Sequence, residues 1–168
     1  MDDTDRVKTY VEAHEGQEAV RVAEALMSRT EATDSELAEE LGQKPSHIRR
    51  VLYALYEERL AEYHKEKDKE TGWLTFYWQL NATTAASTIM AKARRNLADL
   101  QRNLEFEESN EFFICPSGKE RFDFGQATEC SFSCPEHGTM LESHDNSGEL
   151  ADLRDRVAAL QSETESAS

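Results

Sequence analysis

The chain has 168 residues, 34 acidic and 19 basic, and a formal net charge of −15. An isoelectric point near 4.7 excludes a polybasic nucleic-acid coat or a membrane-surface binder that works by bulk charge. Three cysteines are too few for a disulfide scaffold, no run approaches the ~18 apolar residues of a membrane span, and the acidic N-terminus lacks a signal-peptide pattern. These exclusions lead us to expect a cytoplasmic protein with no membrane role. The chain is 38% hydrophobic and has periodic segments, which argues against disorder for most of its length. The acid excess, with seven Lys against twelve Arg, suits a salt-adapted cell, where an acidic surface keeps a folded protein hydrated.

In chain order, Val20, Ala23 and Leu26 recur at helical spacing and predict a helix over 17–29, with Val7 to His14 adding a turn before it. Thr33-Asp34-Ser35-Glu36 is a capping-box pattern, Leu37 and Leu41 face inward, and Gly42 ends that helix. Pro45 stands where a first helical residue belongs. Ile48, Val51, Leu52, Leu55 and Leu60 make the apolar stripe of a third helix, with Arg49, Arg50 and Tyr53 on or near its other face. Two helices joined by a Gly-containing turn form a helix-turn-helix pattern. A strand over 60–64, a charged turn over 65–72 and an aromatic strand over 73–80 then make a wing.

A long helix follows, predicted over 84–108 from the stripe Ile89, Ala93, Leu97, Leu100 and Leu104. It reads as a bridge. Beyond it, Phe113-Ile114-Cys115-Pro116 and Phe132-Ser133-Cys134-Pro135 are two Cys turns about twenty residues apart, each after an aromatic strand, which is a zinc-ribbon pattern. Residues 143–148 look like linker. Leu150, Leu153, Val157 and Leu160 predict a short C-terminal helix before a disordered Ser/Glu tail. The fold class expected is α+β: a winged helix-turn-helix over 1–82, a linker helix over 83–110, a zinc-ribbon-like β domain over 111–142, and linker, short helix and tail over 143–168.

Several segments together resemble the archaeal transcription factor E family, the counterpart of the alpha subunit of the eukaryotic general factor TFIIE. They include Val51-Leu52-Tyr53-Ala54-Leu55-Tyr56-Glu57, Asp68-Lys69-Glu70-Thr71-Gly72-Trp73, Tyr77-Trp78-Gln79-Leu80, Phe113-Ile114-Cys115-Pro116 and Phe132-Ser133-Cys134-Pro135-Glu136. The resemblance covers roughly residues 5–142 in order. It implies a general transcription initiation factor, not an enzyme, that binds the RNA polymerase clamp and stalk. Such a factor assists promoter complex assembly and opening, beside the TATA-binding protein and the non-template strand at the upstream edge of the DNA bubble. The alternative is a gene-specific winged-helix repressor with a metal- or redox-sensing ribbon. The repressor would be a dimer on a palindrome; the initiation factor, a monomer.

Candidate contacts for polymerase or unpaired bases are Trp73 and Tyr77 on the outward face of the wing strand, with Arg49 and Arg50 on the third helix. Phe76 and Trp78 share the opposite face by strand alternation. Residues 1–80 carry 11 basic against 18 acidic side chains, a net of −7, unlike the basic surface of a major-groove reader. The family pattern has Cys-x-x-Cys at both knuckles. Here the first ends on Gly118, which offers no ligand, and the second on His137, which does. The candidate zinc ligands are therefore Cys115, Cys134 and His137. Cys130 is a less favoured fourth, because an extended 130–134 would hold it about 13 Å from Cys134. Zinc retention and zinc loss both stand open, since Gly118 replaces a ligand.

Overall fold

A computed structural model describes residues 2–165 and shows a mixed α+β chain that divides into two compact units, Met1–Lys92 and Ala93–Ser168. Helices α1 (Asp3–Glu15), α2 (Gln17–Met27), α3 (Asp34–Leu41) and α4 (Pro45–Glu57) open the first unit. The single extra turn expected before α2 is a full helix of 13 residues. Asp2 caps it by accepting the Asp5 N–H, and Val7 and Val11 are buried. Gly16, at φ 84°, makes the break before α2, a conformation that costs glycine little.

The capping box at α3 forms as expected. Thr33 Oγ1 accepts the Glu36 N–H at 3.2 Å, and Glu36 Oε2 accepts the Thr33 N–H at 2.8 Å. Gly42 ends the helix in the left-handed region, and Pro45 is the first residue of α4. Leu60 is buried, but it lies past the end of α4 rather than on it. The turn at Arg59, φ 60°, has already broken the helix, and Leu60 enters the core from the loop.

Strands β1 (Glu62–Lys67) and β2 (Leu74–Gln79) pair antiparallel, from Glu62 opposite Gln79 to Lys67 opposite Leu74. The hairpin tip is shorter than the charge pattern implied, and Trp73 belongs to the tip rather than the strand. Asp68 organises it: its carboxylate accepts N–H groups of Glu70 at 3.0 Å and Thr71 at 2.7 Å and the Thr71 hydroxyl at 2.8 Å. Those bonds hold the Asp68 carboxyl below its usual range. Gly72, at φ 73°, closes the turn. Ala32, just before α3, bridges Trp78 through reciprocal backbone bonds of 2.9 and 2.8 Å, which ties the hairpin to the helices.

Trp78 is 1% exposed. It meets Tyr53, Tyr56 and Tyr63 at ring-centroid distances of 5.2, 6.5 and 4.9 Å. Around it Leu26, Leu37, Ile48, Leu52 and Leu55 make one continuous core with Ala85, Ala86 and Ile89 of helix α5 (Ala82–Ser109). Lys92 of α5 donates to the Glu58 carbonyl at 2.9 Å and pairs with its carboxylate, which also accepts from Tyr10 at 2.8 Å. Burial, with this bond, pushes the Tyr10 hydroxyl up to about 12.

In the second unit, β3 (Phe112–Ile114) is the central strand of a three-stranded antiparallel sheet, with β4 (Arg121–Asp123) on one side and β5 (Glu142–His144) on the other. Three readings of this stretch are corrected, the first being that the alternation of Arg121-Phe122-Asp123-Phe124 suggests a strand through Phe124. The chain turns helical at Phe124 instead of continuing as strand, because Asp123 and Gln126 form a second capping box that starts α6 (Phe124–Glu129). Residues read as linker after 142 form β5. They lack apolar alternation, and the ladder with β3 makes them a strand. The C-terminal helix α7 (Ser147–Glu165) is 19 residues long, not short. Asn146 donates to the Glu107 carbonyl at 3.0 Å, and Arg154 donates to Glu108 at 2.7 Å. The tail expected to be disordered extends into 166–168, outside the described residues. Among the described residues no helix is long and apolar enough to cross a membrane.

Candidate functional site

The two Cys turns are built alike. Lys119 N–H donates to the Cys115 carbonyl at 2.8 Å, as Gly138 N–H does to Cys134. Cys115 N–H donates to the Glu120 carbonyl at 2.9 Å, and Cys134 N–H to the Thr139 carbonyl at 2.8 Å. Lys119 and Gly138 both take φ 65°. Position by position, Gly118 stands where His137 stands, and Glu120 where Thr139 stands. The turns face each other across a small cluster of Cys115, Ala127, Cys134 and Leu141, flanked by Phe113, Phe122 and Phe132.

The turns bring together donor atoms of Cys115, Glu120, Cys134 and His137, all within 4.8 Å of one another. His137 Nδ1 lies 3.7 Å from Cys115 Sγ, 3.5 Å from Cys134 Sγ and 3.6 Å from Glu120 Oε2. Tetrahedral zinc with arms of about 2.0–2.3 Å spaces its ligand atoms by roughly 3.3–3.8 Å. The three measured edges fall in that range.

Cys115 is fully buried and its sulfur is well surrounded. Thr139 Oγ1 lies 3.2 Å away, and the Gly118 N–H donates to it at 3.4 Å. The Thr139 hydroxyl, with N–H groups of Gly118 and Ser117, lowers the thiol to about 7 against the opposing effect of burial. The thiolate is the form a metal takes. Cys130 packs against the same cluster but is not one of the converging donors. Its segment is not extended: Cys130 follows the last turn of α6, and its thiol donates to the Ala127 carbonyl at 3.4 Å. Glu120 escaped sequence reading because it lies outside both Cys-x-x-ligand frames.

In the first unit, a surface groove of about 570 Å³ is lined by Thr33, Asp34, Arg49, Tyr53, Trp73, Leu74, Phe76 and Trp78, among others. Trp73 is 76% exposed, and Leu74, Tyr53 and Tyr56 are exposed as well. Tyr77 is half-buried and stacks on His64 at 5.2 Å. Arg49 is tied to Asp34, donating from Nε at 2.9 Å, and Arg50 approaches His47 Nδ1 at 3.2 Å. The groove thus gathers Trp73 and Arg49, while Tyr77 and Arg50 lie outside its lining. Leu74 and Tyr53 are additions that the strand pattern did not single out.

Comparison with known proteins finds that residues 6–109 match the family described as TFIIE alpha subunit. The chain is 37% identical over 142 residues to transcription factor E of Methanocaldococcus jannaschii, covering 84% of this chain and 82% of that protein. It is 38% identical to transcription factor E of Methanosarcina acetivorans over 93% of each, and 37% identical to that of Methanocella arvoryzae over 95% of each. A possible transcriptional regulator from Methanosarcina mazei Go1 superposes with a TM-score of 0.43 over 58% of this chain and 85% of that one at 12% identity, too slight a likeness to add weight. The chain belongs to the TFIIE alpha family, on the branch of the archaeal proteins named transcription factor E.

Proposed function

We propose that this chain, a general transcription initiation factor by family, works as a protein adaptor on RNA polymerase. The observation that carries the reading is its family membership, with relatives named transcription factor E aligned over as much as 95% of the chain. The family is one of transcription factors, not of enzymes, and the proposed action is non-catalytic and cytoplasmic. The first unit is read as a winged helix, with α3 and α4 as its helix-turn-helix and β1–β2 as its wing. The second is read as a zinc ribbon. The stretches 1–82, 83–110 and 111–142 then become a grip, a spacer and a second contact, with 143–168 outside these roles.

In this mechanism the winged helix holds the polymerase clamp and the ribbon reaches the stalk. The factor binds the open arrangement of the clamp more tightly and shifts the population toward strand separation. Trp73 is the leading contact, by its exposure, with Tyr77 beside it for the clamp or for unpaired non-template bases near the TATA-binding protein. Each base stacked would contribute about 1–3 kcal/mol. Arg49 and Arg50 are secondary, since Asp34 and His47 already engage them. The net −7 of residues 1–80 supports attachment through protein rather than phosphate. It also supports a salt-rich cytoplasm.

Pull-down of the full chain from a native high-salt lysate tests this. Recovery of polymerase subunits with a monomeric factor is expected, reduced by Trp73→Ala. Recovery of a dimer bound to one operator fragment, without polymerase, would overturn it in favour of the repressor with a sensing ribbon. Zinc in the second unit would brace its two turns rather than react.

A further inference from the structure

We infer that Glu120 is the fourth ligand of a divalent metal, zinc above others, held with Cys115, Cys134 and His137. The inference rests on the ribbon binding a metal at all, and not on any role in transcription. Gly118 occupies the first turn's second ligand position and offers no side chain. A Cβ built at Gly118 would fall onto both carboxylate oxygens of Glu120 and onto Cε1 of His137. The space a ligand at 118 would use is already filled, by a carboxylate arriving from two residues further on.

The equivalence of the turns explains how it gets there. The residue after the left-handed position points into the cluster in both. In the second turn this is Thr139, whose hydroxyl reaches only to Cys115 Sγ, at 3.2 Å. In the first it is Glu120, whose longer side chain places Oε2 3.6 Å from His137 Nδ1. Oε2 is buried and has no hydrogen-bond partner, only the His137 ring at ion-pair distance, which is a cation only when protonated. An orphaned carboxylate oxygen costs free energy where it lies unless a cation or donor meets it. Two sulfurs, a nitrogen and an oxygen within 4.8 Å of one another, with the three edges at His137 of tetrahedral length, meet zinc's usual ligand types. Two thiolates and one carboxylate around the dication leave a net charge of −1, with the two thiol protons released to solvent.

The test uses the full chain, purified without chelator. X-ray absorption of the zinc-loaded protein should count two sulfurs and two lighter ligands; three sulfurs would mean that Cys130 has replaced Glu120 and would overturn the inference. Chelator competition should show zinc affinity falling by at least the ~10-fold that even outer-shell partners carry in Glu120→Ala, with Glu136→Gln, a neighbouring acid, unchanged. The cobalt-substituted protein should change its visible d–d bands in Glu120→Ala and Glu120→Gln. Wild-type affinity and bands in both variants, or no zinc taken up by the wild type from an equimolar supply, would overturn it. The sulfur count needs no variant, so a misfolded substitution cannot rescue the idea.

Discussion

The two units solve the same problem with different means. The first buries Trp78, five large aliphatic side chains of α2–α4 and the start of α5 in one core. Among the described residues, the buried cluster between the second unit's Cys turns is Cys115, Ala127, Cys134 and Leu141, with Phe112 and Val157 buried apart from it. So small a cluster rarely holds a fold without a staple, and a metal is the staple that its donor atoms suit. The difference teaches that ligand loss is tolerated unequally. The first unit can absorb a changed surface, whereas the second, on the proposed metal site, would have to replace any ligand it gives up.

Removal of the proposed metal should break the comparison most visibly. With chelator, or in Cys115→Ser, the second unit should lose protection against protease while a fragment near 1–92 survives; intact protection of both would remove the contrast. Trp78→Ala should do the reverse. It should cost about 3–5 kcal/mol in the first unit's melting and leave zinc affinity of the second unchanged. Thr33→Ala removes one cap and should cost roughly 1 kcal/mol, read as a lowered denaturation midpoint of the first unit alone.

The smallest expected effect is acid loosening of the second unit at α5–β4. Arg121 donates to Glu107 at 2.9 and 2.5 Å, and this pair holds the Glu107 carboxyl below its ordinary 4.5. Its contribution is present above the unfolded value and is lost as pH falls through the lowered folded one. Glu107→Gln should therefore flatten the acid limb of the second unit's stability curve, without altering the first unit's.

The legible parts of the fold were those with local chemistry. Thr33 with Glu36, Gly42 and Pro45 are self-contained signals, so α3 and α4 were readable before any contact was known. The strand β5 was not, since Glu142-Ser143-His144 has no apolar period and exists through its pairing with β3. Helix α6 did leave a signal, Asp123 three residues before Gln126, hidden under the strand-like alternation of the phenylalanines. At the site, Cys115, Cys134 and His137 followed from the knuckle pattern of the family that the chain resembles, and they do converge. Glu120 could not be read that way, because its relation to them passes through the turn at Lys119 and a gap that only three dimensions reveal.

The bridge between Ala32 and Trp78 has a mechanical consequence. It joins residues far apart in sequence, and both of its hydrogen bonds run across the hairpin's base to the strand-like residue that precedes α3. The hairpin is therefore tied at its base to the segment that joins α2 to α3. Trp78 thus anchors the hairpin twice, through its backbone to Ala32 and through its ring in the core of the first unit.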